Sequence, residues 1–377
     1  MGRNRVSVRW ILTVVLALAL FLPVPGLAAS SRVPSLEEMA GAMIMVGFHG
    51  TTAPASVVKA VSEGRLGGII LFDRGRTKEE LYNVESPAQL KKLISSLQSV
   101  APRMLLVAVD QEGGKVCRLK PERGFFALPS ADLMGRMSEE EVRVLGFKAG
   151  VEMAEIGINV DLAPVVDLRR SRQSPGLGNV GRLFGAGSDQ VTRQALAFAD
   201  GLREAGVLPA LKHFPGLGSA SKDSHLDLPD VTKTWSEEEL LPYVEAFQRD
   251  WPGMVLVAHV YHRGLDVHLP ASLSRNVVDG LLRRRLGWNG VVVSDDLQMG
   301  AVAKGRSLEE RVRLAVQAGN DILLFGNNLS YDPMLHEKVF QALMHLVDTG
   351  VVSRERLEES WRRIETMKRN AFQDGRK

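Results

Sequence analysis

Beyond residue 30 the chain carries eight short runs of apolar and β-branched residues, at 43–48, 68–72, 105–110, 158–163, 208–213, 254–259, 290–295 and 321–325. Runs of this length bounded by polar or glycine-rich segments read as buried strands. Most are separated by stretches long enough for a helix. Helical periodicity is clear over 139–156, 189–205 and 308–318, with Gly157, Gly206 and Gly319 standing where C-terminal caps belong. Eight strands alternating with helices predict an α/β fold, a TIM-like (β/α)8 barrel rather than an open sheet. No Pro/Ser-rich linker, compositional break or internal repeat divides the chain after residue 30, so 30–377 is expected to form one domain.

The first 29 residues follow a different pattern. Arg3, Arg5 and Arg9 precede an apolar run over 10–22, which Pro23, Pro25 and Gly26 break before the small residues Ala28 to Ser31. Charged, apolar and then small is the order of a secretory signal, and 1–29 is expected to be removed on export. The apolar run is short of the ~20 residues a membrane span needs, which leaves an uncleaved anchor as the alternative. Those three arginines account for the whole formal charge of +3, so the remaining chain is electrically balanced. A balanced body has no electrostatic footprint for nucleic acid. The composition, 45% hydrophobic and 24% charged, excludes disorder and coiled coil. Cys117 is the only cysteine, so no internal disulfide can form, and it reads as a packing residue rather than a nucleophile.

Many of the strand-like runs end in polar residues: Asp110-Gln111-Glu112, Asp161, Lys212-His213, His259, Asp295-Asp296 and Asn327-Asn328. In a (β/α)8 barrel the C-terminal strand ends share one mouth, so these groups are expected to converge there. The asparagines are explained equally well as ordinary loop residues. The acidic, basic and histidine side chains attached to strongly apolar runs are not.

Three stretches carry candidate chemistry. The segment from Lys212 through Gly216, Gly218 and Ser219 to Asp223, Ser224 and His225 starts as a strand end and continues as a small-residue loop. In extended chain, side chains two apart share a side, so Asp223 is placed to orient the His225 ring and favour its protonated form. Such a pair donates and accepts a proton near neutral pH. In the run ending at Ser294-Asp295-Asp296, adjacent side chains at a strand end should point to opposite faces. One aspartate then enters the mouth and the other caps the next helix, and the periodicity alone leaves open which. In Asp110 to Arg118, Gly113-Gly114 allows a sharp turn, and Asp110 and Arg118 suit recognition of hydroxyl and carbonyl groups.

Taken together, the segments KHFPG with DSHLDLP, GWNGVVVSDDLQM, DQEGGKVCR, GINVDLAPVVD, GRLFG and PASLS resemble the β-N-acetylhexosaminidases of glycoside hydrolase family 3, in the family's order and over about residues 36–366. The resemblance implies a single barrel domain, and a second domain carrying the acid/base, as in many β-glucosidases of the family, has no room in the chain. It implies Asp295 as nucleophile, His225 as acid/base and Asp223 as its supporting partner. It places sugar recognition on Asp110, Arg118, Arg182, Lys212 and His213. One position departs from the family's pattern: Leu217 stands where a histidine is usual, which makes the loop entrance more apolar.

The expected activity is therefore an exported, exo-acting, retaining hydrolase that releases β-linked N-acetylglucosamine, with peptidoglycan fragments as the source, no cofactor, no metal and a monomeric state. The rivals are a phosphorylase releasing the sugar 1-phosphate from the same barrel, a β-glucosidase, and a carbohydrate-binding protein without catalysis. The last should have lost Asp295 or His225, and both are present. A metal hydrolase would need a ligand spacing such as H-x-x-x-H, which the chain lacks.

Overall fold

The computed structural model describes residues 33–75, 82–170, 176–222, 224 and 227–372. The chain separates into residues 1–34 and a second unit, Ser35–Lys377, to which every described element belongs. The signal segment expected over 1–29 lies outside the described residues.

Eight parallel strands form the centre: β1 (Ile44–Val46), β2 (Gly68–Leu71), β3 (Leu106–Val109), β4 (Val160–Asp161), β5 (Leu208–Phe214), β6 (Met254–Val257), β7 (Val292–Ser294) and β8 (Leu323–Phe325). Each pairs with its neighbour in sequence up to β7, and β8 pairs with β1. A parallel bridge between Val293 and Ile322 brings β7 against the start of β8 and closes the ring. Seven lie within the apolar runs of the sequence, and β5 passes the end of its run by one residue. Their residues are buried on both faces, since the helices cover the outside and side chains fill the inside.

The outer helices follow their local signals. Ser138 accepts the Glu141 N–H while the Glu141 carboxylate accepts the Ser138 N–H, which starts the helix Glu139–Ile156. Gly157, at φ 102°, ends it in the left-handed conformation. Helix Ser188–Glu204 packs tightly against it, because Gly201 has no side chain where a Cβ would lie 2.1 Å from the Arg143 carbonyl. Helix Leu308–Ala318 starts at Ser307, whose hydroxyl accepts the Glu310 N–H, and ends at Gly319 with φ 115°.

The end of the barrel opposite the mouth is fixed by a buried charge cluster. Asp321, just ahead of β8 and fully buried, accepts from Arg283 Nη2 at 2.7 Å and the Val292 N–H at 3.0 Å through Oδ2. Its Oδ1 accepts from Ser360 Oγ at 2.7 Å and Arg363 Nη1 at 3.2 Å, which ties the last helix, Arg354–Phe372, to the barrel floor.

Candidate active site

The C-terminal strand ends surround a cavity of about 160 Å³ whose wall includes Asp110, Arg118, Arg182, Lys212, His213 and Asp295. All six were singled out in the sequence, and they come from four separate stretches of the chain. The barrel brings them together.

After β3 the chain forms a small hairpin, Gln111–Gly113 against Val116–Cys117. Gly113, at φ 89°, is obligatory at the turn: a Cβ there would sit 2.0 Å from the Pro129 carbonyl. The Gln111 side chain holds the returning strand, its Oε1 accepting the N–H groups of Arg118 and Leu119, each at 3.0 Å. Arg118 is thereby turned back over the cavity, with Nη2 3.4 Å from Asp110 Oδ2 and its guanidinium 5.3 Å above the Phe72 ring. Cys117 is buried beside this turn, where burial pushes its thiol up to about 11. A thiol held protonated in this way is no nucleophile.

Lys212, near the end of β5, occupies the centre of the polar wall. Its Nζ donates to Asp110 Oδ1 at 2.7 Å and lies 2.6 Å from Glu112 Oε1. Glu112 is gripped from the other side by Arg182, Nε to Oε2 at 2.6 Å and Nη2 to Oε1 at 2.7 Å. Burial alone would raise both carboxyls. The cations outweigh it, so Lys212 and Arg118 hold Asp110 well below the usual carboxylate range, and Arg182 with Lys212 holds Glu112 at about 2.

His213 is oriented at both nitrogens. Its Nδ1 lies 2.6 Å from Asp167 Oδ2 and its Nε2 lies 3.3 Å from Arg182 Nη2. A guanidinium only donates, so Nε2 accepts and the ring proton sits on Nδ1, directed at Asp167. The second oxygen of Asp167 accepts the Leu217 N–H at 2.7 Å, and this carboxylate fixes the start of the small-residue loop. Leu217 contributes that contact through its backbone, and its side chain lines the cavity where the sequence predicted a more apolar entrance.

Two further carboxyls are buried nearby. Asp161, at the end of β4, accepts the Gln111 N–H at 2.9 Å through Oδ1, while burial, with help from Asp110 and Glu112, pushes it up to about 8. Glu239 lies under the loop: a Cβ on Gly216 would meet its Oε2 at 2.3 Å. Burial and the neighbouring Asp167 push Glu239 up to about 8 as well.

Strand β7 stops at Ser294, and this corrects the expectation that only one of the following aspartates enters the mouth. Alternation ends with the strand, and both Asp295 and Asp296 line the cavity. They are nevertheless distinct. Asp296 Oδ1 closes a turn by accepting the Gln298 N–H at 2.9 Å, in place of the helix cap expected for it. Asp295 Oδ1 accepts the Asp296 N–H at 2.9 Å, and its Oδ2 has no partner among the described residues. The backbone here is held by His259, which does not reach the mouth as the sequence pattern suggested. It is fully buried, with Nε2 2.8 Å from the Asp296 carbonyl oxygen and Nδ1 2.6 Å from Ser272 Oγ.

Asp223 and His225 lie outside the described residues, while Lys222 and Ser224 beside them line the cavity. Sequence reasoning missed Glu112 as a strut of the polar wall and Asp167 as the partner of His213. Both stood within quoted motifs, but their roles depend on partners that are remote in the chain.

Residues 35–367 match the family model described as the glycosyl hydrolase family 3 N-terminal domain. The chain is 34% identical over 344 residues to a β-hexosaminidase of Alkalilimnicola ehrlichii, covering 86% of this chain and 92% of that one. It superposes with a TM-score of 0.83 and 33% identity on a glycoside hydrolase family 3 β-N-acetylglucosaminidase from Paenibacillus sp. str. FPU-7, covering 91% of this chain and 64% of that one. A β-N-acetylhexosaminidase from Beutenbergia cavernae gives a TM-score of 0.79 at 29% identity, covering 89% of this chain and 99% of that one.

Proposed function

The chain belongs to glycoside hydrolase family 3, and within it we propose that this protein is an exported, retaining exo-β-N-acetylglucosaminidase acting on peptidoglycan fragments. Hydrolysis of β-N-acetylhexosaminides is the activity its relatives are named for. The observation that carries the finer reading is Asp295, a carboxylate fixed through one oxygen, with the other unengaged by any described residue, in a cavity with room for about one sugar ring.

In this reading the sugar lies against the wall of Asp110, Lys212, Arg182 and Arg118, whose charged groups exchange hydrogen bonds with its hydroxyls and amide carbonyl. Their mutual ion pairs hold them in place before substrate arrives, so little reorganisation accompanies binding. Asp295 Oδ2 attacks the anomeric carbon as His225 gives its proton to the leaving oxygen. A water then releases the sugar as His225 takes that water's proton back. Asp223 keeps the imidazole oriented. Glu112, held near 2, is already ionised and paired, so it is unsuited to act as the proton donor.

The test is hydrolysis of matched aryl β-glycosides of N-acetylglucosamine and glucose by the mature protein. A clear preference for the N-acetylated sugar with net retention at the anomeric carbon is expected. Equal rates, or inversion, would overturn the reading.

A further inference from the structure

We propose that Leu329 and Tyr331, on the loop that follows β8, form a platform for the leaving-group side of the substrate, with the apolar face of a second β-linked pyranose as its ligand. The proposal rests on the exo-glycosidase reading above, since it concerns what lies beyond the bond that Asp295 attacks.

The cavity is closed below by the packed barrel and has room for about one ring, so the leaving group must occupy its rim. Leu329 lines the cavity and is 37% exposed; Tyr331, two residues on, is 45% exposed. With Met334, three half-exposed large apolar side chains fall within six residues. Such residues are ordinary on a surface when scattered singly, and a cluster beside a polar pocket marks a contact site.

The loop that presents them is clasped at both ends. Asn327, in the left-handed conformation at φ 56°, donates through Nδ2 to the carbonyls of Gly47 at 3.1 Å and Asp332 at 2.9 Å, and its Oδ1 accepts the Asp332 N–H at 2.9 Å. Gln298 accepts the Asn327 N–H at 2.6 Å and donates to the Ser330 carbonyl at 2.9 Å, while the Tyr82 hydroxyl donates to the Asn327 carbonyl. A loop ordered before binding presents its side chains at little entropic cost.

A chain of ring contacts supports Tyr331 from the cavity wall outward. Phe72, part of the wall, meets Tyr82 edge-on at 6.3 Å between centroids. Tyr82 meets His49 at 5.0 Å, and His49 meets Tyr331 edge-on at 5.5 Å. Tyr331 keeps nearly half of its surface exposed beside this contact, and that surface is offered to the axial C–H groups of a sugar, a contact that removes apolar surface from water on both partners.

The experiment compares the β-1,4-linked disaccharide of N-acetylglucosamine with methyl β-N-acetylglucosaminide, whose leaving group is too small to reach the platform. Tyr331→Ala is expected to lower the ratio of the two kcat/KM values about fivefold to tenfold, mostly through KM for the disaccharide. Tyr331→Phe, which keeps the ring, should preserve the ratio, and Leu329→Ala should lower it in the same direction. An unchanged ratio in Tyr331→Ala, or equal losses on both substrates, would overturn the platform while leaving the hydrolase reading intact. Failure of the unaltered enzyme to cleave either substrate would overturn that reading, and the platform with it.

Discussion

Arg182 holds Glu112 at two points, each nitrogen within 2.7 Å of a different carboxylate oxygen. Both groups are largely buried, so the pair acts as a strut between the hairpin after β3 and the segment ahead of helix Ser188–Glu204, with Lys212 braced against it. Removing one member of such a pair leaves the others charged and unbalanced in a poorly solvated site.

Glu112→Gln is therefore expected to destabilise the protein by about 3 kcal/mol, the scale for breaking a buried ion pair from one side. The Glu112 carboxyl sits at about 2 in the folded protein against an ordinary 4.5. Its contribution is thus complete above about 4.5 and lost as pH falls towards 2. Urea denaturation across that window should show the variant losing less stability on acidification than the unaltered protein. Parallel curves would place the acid-sensitive group elsewhere.

Glu239 carries the opposite sign. Its folded value of about 8 lies above the ordinary 4.5, so its contribution is complete below about 4.5 and disappears as pH climbs through 8. Glu239→Gln removes that titration. The stability of the variant relative to the unaltered protein should improve steadily between pH 5 and 8, by up to about 1.4 kcal/mol per pH unit. A pH-independent difference would show that Glu239 is ionised throughout.

Asp295→Ala should lose turnover by several orders of magnitude, whereas Asp296→Ala, which loses a turn contact to Gln298, should lose less. A 2-fluoro sugar inactivator is expected to add its mass to the peptide containing Asp295. Labelling on another carboxylate would move the nucleophile.

His225→Ala should slow substrates with poor leaving groups far more than an activated aryl glycoside, which departs with little protonation. Asp223→Ala should act in the same direction with a smaller effect. Lys212→Ala should weaken both substrate kinds alike, because its Nζ serves the binding wall. Equal losses on both substrates for His225→Ala would remove it as the proton donor.

The N-terminus of the native protein is expected between Ala29 and Ser31, as intact mass would show. Retention of Arg3 in a membrane fraction would indicate the anchor instead, and a cytoplasmic chain retaining it would overturn export.

The barrel was legible in the sequence because its strands are continuous apolar runs buried on both sides, a pattern that survives without knowledge of their partners. Gly157 and Gly319 marked helix ends for an equally local reason. The six wall residues could be nominated because they follow those strands or sit in the quoted motifs. What the pattern could not show was how the groups divide the work. Whether Asp295 or Asp296 remains unengaged depends on β7 ending at Ser294 and on His259 holding the next carbonyl from another strand. Glu112 looked like one polar residue among several until Arg182, 70 residues on, and Lys212, 100 residues on, were seen to converge on it. The Leu217 departure also changes meaning in three dimensions: its link to Asp167 runs through the main chain, which a histidine would supply equally.

The Asp321 cluster lies at the opposite end of the barrel from all of this. Four partners from the segment after β6, the start of β7 and the final helix meet on that one carboxylate, and none of them lines the cavity. The molecule is thereby divided into a fastened base and an independently variable rim. Exchange of Leu329, Ser330 and Tyr331 for other residues, with Gly326, Asn327 and Asp332 kept as the clasp, should redirect the enzyme among glycans while leaving the thermal midpoint close to its starting value, which makes the base a chassis for engineered specificity.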